Sequence, residues 1–173
     1  MPKCLDPEKL KIGYIILIAS RKLAIEKFQA KAGHNENSKW THVAGSLGGY
    51  TAIEANFPRS RLINLQKECI DKGYEIKVLK RKDQEPHKRY KVALWWATMN
   101  NLPYDTLQFF WFPLSLLSGR ICIILHNLFS SRKRFLCSEL IATGFYKEGD
   151  YLFNKPASSI LPAEFSSPAF FRK

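Results

Sequence analysis

Residues 13–19, Gly-Tyr-Ile-Ile-Leu-Ile-Ala, make a near-continuous apolar run rich in β-branched side chains. A run of this kind reads as a strand covered on both faces. Two more strands follow at 41–46 and 50–55, joined through Gly48-Gly49, a hairpin signal. A fourth, 73–80, alternates Tyr74, Ile76 and Val78 with Glu75 and Lys77, the period of a half-buried strand. Helical spacing marks 20–32, where Leu23, Ile25 and Phe28 stand among charged residues and Gly33 closes the segment. It recurs at Val92, Trp95, Trp96 and Met99, ending before Pro103, and at 137–146, with Leu140, Ile141 and Phe145 on one face. The stretch 62–70 reads as a short helix. Residues 156–171 read as loop, with one helical turn where Pro162 takes the first helical position.

At 173 residues the chain is long enough for one domain with a real core and short for two. Its 46% hydrophobic content excludes a disordered chain. The net charge of +12 favours an anionic partner, but no nucleic-acid motif accompanies it, so nucleic acid is not the expected one. Cys4, Cys69, Cys122 and Cys137 are scattered, with no pair at metal-ligand spacing, and they read as reduced thiols in a cytoplasmic protein. No metal or cofactor is expected. Residues 107–129 are rich in Leu, Ile, Phe and Trp, and Arg132-Lys133-Arg134 follow. Pro113, Gly119 and Arg120 interrupt that stretch, and a central Arg costs roughly 2.5–3.5 kcal/mol on insertion. The segment at about 107–134 is therefore read as an apolar insert: core, substrate wall, or contact with an anionic membrane surface.

A thiol becomes a useful nucleophile where a helix N-terminus or an imidazolium favours its thiolate. Cys137 stands where the basic stretch ends and the helix beginning Ser138-Glu139-Leu140 starts, so the helix dipole acts on its sulfur. The common alternative is a small buried hydrophobe. Of four histidines, His34 and His87 lie in charged loops and His126 in the apolar stretch. His42 opens a strand, a rigid mount for a base.

Six pieces then occur in order: 13–17 as the opening strand; Thr41-His42-Val43-Ala44-Gly45; Ile53-Glu54-Ala55; Leu102-Pro103-Tyr104-Asp105; Leu136-Cys137-Ser138-Glu139-Leu140; and Ile160-Leu161-Pro162-Ala163-Glu164-Phe165. In this pattern the chain resembles the YiiX/YebB-like branch of the circularly permuted NlpC-type cysteine hydrolases, relatives of papain. The resemblance spans nearly the whole chain. It implies a small papain-like α+β domain, with an antiparallel, barrel-like sheet packed against the nucleophile-bearing helix. It also implies Cys137 as nucleophile, His42 as base and Glu54 as the residue orienting the imidazole; Tyr104 and Trp40 are separate candidates for contact with the substrate. Two departures stand out: Tyr14 where that group commonly carries Asp, and the long apolar segment before Cys137.

Strand register bears on Glu54. A plain two-residue loop at Gly48-Gly49 would send His42 and Glu54 to opposite faces. A three-residue loop, 47–49 with Gly49 left-handed, would pair them directly on one face, and this register is the expected one. Three functions remain open: a thiol hydrolase cleaving an amide bond in a peptide, peptidoglycan-like or lipid-linked substrate; a lipid acyltransferase or phospholipase using the same Cys-His pair; and a non-catalytic basic binding module in which Cys137 is structural.

Overall fold

The computed structural model describes residues 6–20, 22–106, 134–168 and 171–172. The fold is α+β, with an antiparallel sheet in the order β4-β3-β2-β1-β5-β6. Its members are β1 (Ile15–Ala19), β2 (His42–Gly48), β3 (Thr51–Ala55), β4 (Ser60–Asn64), β5 (Glu75–Arg81) and the two-residue β6 (Phe171–Arg172). The apolar run becomes β1, paired to β2 on one side and β5 on the other. Its alternate residues enter two separate cores, Ile15 and Leu17 in one, Ile16 and Ile18 in the other.

Among the described residues there are three α-helices: α1 (Leu23–Lys31), α2 (Pro86–Thr98) and α3 (Cys137–Lys147). Cys137, Leu140, Ile141, Gly144 and Phe145 form one buried stripe of α3, at the spacing of a single helix face. That stripe packs on β2, β3 and α2. Trp96 of α2 is the wedge of this core. Its indole meets Phe145 edge-on at 5.5 Å and donates from Nε1 to the Ile141 carbonyl at 3.2 Å. A Cβ on either Gly45 of β2 or Gly144 of α3 would collide with that indole. Both glycines therefore let the strand and the helix close onto the same ring, which sets the distance between them.

Three expectations need correction. The sheet is open rather than barrel-like: among the described residues, β4 and β6 each pair on one side only. The stretch 62–70 is not one helix; its first part belongs to β4, and a π-helical turn (Gln66–Ile70) follows. The β2–β3 hairpin has neither expected form. Gly48 pairs with Thr51 around a two-residue turn, Gly49-Tyr50, and a bulge at Leu47 then shifts the register to Ser46↔Ala52 and Gly45↔Ile53. Gly49 is left-handed, with φ +55°. The apolar insert lies almost wholly outside the described residues. Among the described residues, no helix is long and apolar enough to cross a membrane.

Candidate active site

His42 is the first residue of β2 and Cys137 the first of α3, so the site forms where a strand start meets a helix start. The shifted register decides which residues join it. Continued toward the strand start, it places Glu54 two positions along β3 from the residue opposite His42, hence on the same face. The bulge is what makes this possible. Around the turn alone, without the extra residue, His42 and Glu54 would have pointed apart.

The imidazole bridges the two acidic groups. Its Nε2 lies 2.8 Å from Glu54 Oε2, and the Cys137 thiol is near enough to act on the ring through its charge and hydrogen-bonding capacity. With Nε2 committed to the carboxylate, Nδ1 is the nitrogen left for the sulfur. All three residues are buried, none more than 7% exposed. Burial is the largest influence on His42 and works against its charge. The charge and hydrogen bond of Cys137, then those of Glu54, outweigh it and raise the pKa to about 9. Burial likewise disfavours the thiolate. The His42 charge and hydrogen bond, the Val43 backbone N–H donated to sulfur, and the Lys22 charge together hold the thiol below its usual range. Each shift supports the other, and both favour the thiolate–imidazolium form of the pair.

Glu54 is anchored from its far side. Its Oε1 accepts from Arg61 Nε at 3.0 Å and from Asn56 Nδ2 at 3.4 Å. Burial raises its pKa, but His42 first and Arg61 second bring it down to about 2. The carboxylate is therefore charged at every working pH. Arg61 sits directly opposite Glu54 in the β3–β4 ladder.

Comparison with known proteins adds no relative. No family model, curated protein or solved structure matches the chain. The chemistry therefore has to be read from the geometry itself.

Tyr104 reaches the site because 103–105 runs beside the entry to α3. Tyr104 bridges to Phe135 in parallel, and the Asp105 N–H donates to the Phe135 carbonyl at 3.3 Å. Burial, then the Cys137 charge, push the Tyr104 phenol above its usual range, so the tyrosine stays neutral. Trp40 is placed differently. It is buried in the core, with the Lys39 ammonium 4.8 Å above its ring, and it is not among the residues of the cavity at Cys137. Glu139, in the first turn of α3, accepts from the Leu136 N–H at 3.3 Å, and burial lifts its pKa to about 7. Among the described residues, no cluster of three or more His, Cys, Asp or Glu is placed to hold a metal ion.

Sequence reasoning passed over Arg61, Asn56, Gln29 and the Val43 N–H. Arg61 was hidden by reading its neighbourhood as helix; as a strand opposite β3 it falls into line with Glu54. Gln29 is fully buried. Its Nε2 donates to the Ser38 and Trp40 carbonyls at 2.8 and 3.1 Å, and its Oε1 accepts the Ala163 N–H at 2.9 Å. One side chain thus ties α1, the approach to β2 and the C-terminal turn (Pro162–Ser166) together. Gln29 is the one buried residue of α1, and nothing in the sequence marks it as such.

Proposed function

We propose that the protein is a thiol hydrolase that cleaves amide bonds through an acyl-enzyme, with Cys137 as nucleophile, His42 as acid and base, and Glu54 as the orienting carboxylate. The carrying observation is a buried imidazole bound to Glu54 at 2.8 Å, with the buried Cys137 thiol close enough to raise its pKa. The thiolate attacks the substrate carbonyl, forming a C–S bond. The tetrahedral intermediate collapses with loss of the C–N bond as His42 gives its proton to the departing nitrogen. Neutral His42 then takes a proton from water, hydroxide attacks the thioester, and the carboxylic acid leaves as the thiolate is restored. The Cys137 backbone N–H, at the helix start, is the oxyanion donor we assign.

A papain-like, permuted NlpC-type relationship is part of the same proposal. It is supported by the chain order, with the histidine strand before the cysteine helix, and by the antiparallel sheet packed on that helix. Peptide, peptidoglycan-like or lipid-linked amides are the substrate classes that follow. A second reading, acyl transfer or hydrolysis on a lipid ester by the same pair, is favoured by the apolar surroundings of Cys137.

Alkylation by iodoacetamide near neutral pH, resolved residue by residue by peptide mass mapping, tests the nucleophile. Cys137 is expected to react far faster than Cys69, which burial pushes up to about 12, and His42→Ala is expected to remove that advantage. Equal rates at the two cysteines would end the catalytic reading in favour of a binding module.

A further inference from the structure

The proposed nucleophile, Cys137, is one of the residues lining an apolar cavity of about 160 Å³. Ala24, Ile25 and Phe28 of α1 line it together with Ile160, Leu161 and Pro162 at the C-terminal turn. Leu136, Ser138, Tyr104 and Thr41 complete the lining. Apart from the Cys137 sulfur itself, none of these lining residues has an ionisable group that is charged near neutral pH. The helix and the turn are held to one another by Gln29, whose amide bonds both the approach to β2 and the backbone of Ala163. The cavity is therefore built into the fold and does not depend on a ligand to shape it.

Its position relative to the imidazole gives it a polarity. Neither His42 nor Glu54 lines it. The leaving group must sit where His42 can protonate it, so the other substituent of the attacked carbonyl is directed toward the cavity. The size is informative too: an apolar cavity of about 150 Å³ in another protein accommodates benzene and stays dry when empty. We propose that this cavity is the acyl-side subsite, taking an uncharged apolar group of benzene-like size or a medium-length alkyl chain carried on the carbonyl carbon that Cys137 attacks. The assignment rests on the thiol-hydrolase reading and narrows its substrates to acyl groups that are apolar next to the scissile bond. Charged diamino-acid or acidic peptidoglycan side chains are excluded from this position, since a buried charge without a partner is costly.

Chloromethyl ketones R–CO–CH₂Cl test this without knowledge of the natural substrate. The Cys137 thiolate forms a C–S bond at the CH₂ carbon, the C–Cl bond breaks, and chloride leaves. R is set to methyl, heptyl, benzyl or 2-carboxyethyl, and second-order rates at Cys137 are followed by mass spectrometry alongside iodoacetamide as a tail-less reference. Each buried methylene contributes about fourfold, so heptyl and benzyl are expected to exceed methyl by at least about tenfold, with carboxyethyl no faster than methyl. Heptyl ahead of benzyl assigns a fatty-acyl source, and the reverse assigns an apolar amino acid. Ile25→Lys is expected to abolish the gain. Fast iodoacetamide labelling with methyl, heptyl and benzyl rates within threefold of one another overturns the subsite and leaves the nucleophile intact. Iodoacetamide labelling of Cys137 no faster than of Cys69 overturns both.

Discussion

Replacing Glu54 by Gln keeps the size and one hydrogen-bonding oxygen but removes the charge that faces His42. A hydrogen bond to a charged partner contributes roughly 1.5–3 kcal/mol, which corresponds to about one to two pH units on the imidazolium. In Glu54→Gln the His42 pKa should fall from its value of about 9 by that amount. The thiolate loses the same support at second hand, so the midpoint of the iodoacetamide rate–pH profile should rise by up to one or two units. At pH values below the new midpoint, the Cys137 rate should drop by about tenfold for each unit. Stability provides a separate measurement. The Glu54 pKa is lowered from 4.5 to about 2, a shift linked to about 3 kcal/mol of folding free energy. A depressed carboxylate contributes fully above its unfolded value and loses the contribution as pH falls through its folded one. Urea unfolding should therefore show the full gap between wild type and Glu54→Gln above pH 5, closing toward pH 2. Superimposable alkylation profiles for the two proteins would refute the claim that Glu54 acts on the nucleophile through His42, whatever happened to stability.

Other perturbations follow from the same contacts. Arg61→Ala removes the outer anchor of Glu54; because Arg61 is half-exposed, the alkylation midpoint should move in the same direction as in Glu54→Gln but by less than one unit, and added salt should mimic part of the shift in the wild type. Gly144→Ala drives a methyl into the Trp96 indole and should lower stability by about 1–3 kcal/mol in thermal unfolding, while slowing Cys137 alkylation because α3 is pushed off β2. Gln29→Leu leaves two carbonyls and the Ala163 N–H without their buried partner and should cost about 3 kcal/mol in urea. The raised His42 pKa implies that its contribution to stability is complete below 6.5 and is lost as pH rises through about 9; His42→Ala should erase that alkaline decline.

Where one physical signal dominated, the sequence was readable. The β-branched run of β1 had no alternative, and the stripe of α3 repeats at the helical period for two turns. Pro162 opens its helical turn as its fixed φ dictates. The failures lie where two signals competed. In β4 only Ser60 and Ile63 are buried, a spacing of three that imitates a helix, because an edge strand on a curved sheet buries few side chains. Missing that strand also removed Arg61 from view, since its role exists only opposite Glu54. The hairpin shows the same limit at finer scale. Turn residues Gly48 and Gly49 announced a tight connection, but whether an extra residue sits at Leu47 depends on packing: the Leu47 side chain lies against the α2–α3 core and Gly48 closes on Ile12. That single residue decides on which face Glu54 lies.

The site also shows why apolar surroundings and an ionised dyad are compatible here. An isolated thiolate or imidazolium in such a place would neutralise, because burial is the largest influence on both and opposes each charge. What reverses the outcome is that the groups alternate in sign, thiol, imidazole, carboxylate and guanidinium, so each charge is favoured by an opposite neighbour. Only the last of these, Arg61, reaches solvent. The chain of charges thus runs from Arg61 at the β4 edge of the sheet to Cys137, while the apolar cavity that Cys137 also lines includes neither His42 nor Glu54. On the proposed thiol-hydrolase reading, a substrate would bury an apolar acyl group without breaking any of these ion pairs, and its leaving group would lie on the side where His42 can protonate it.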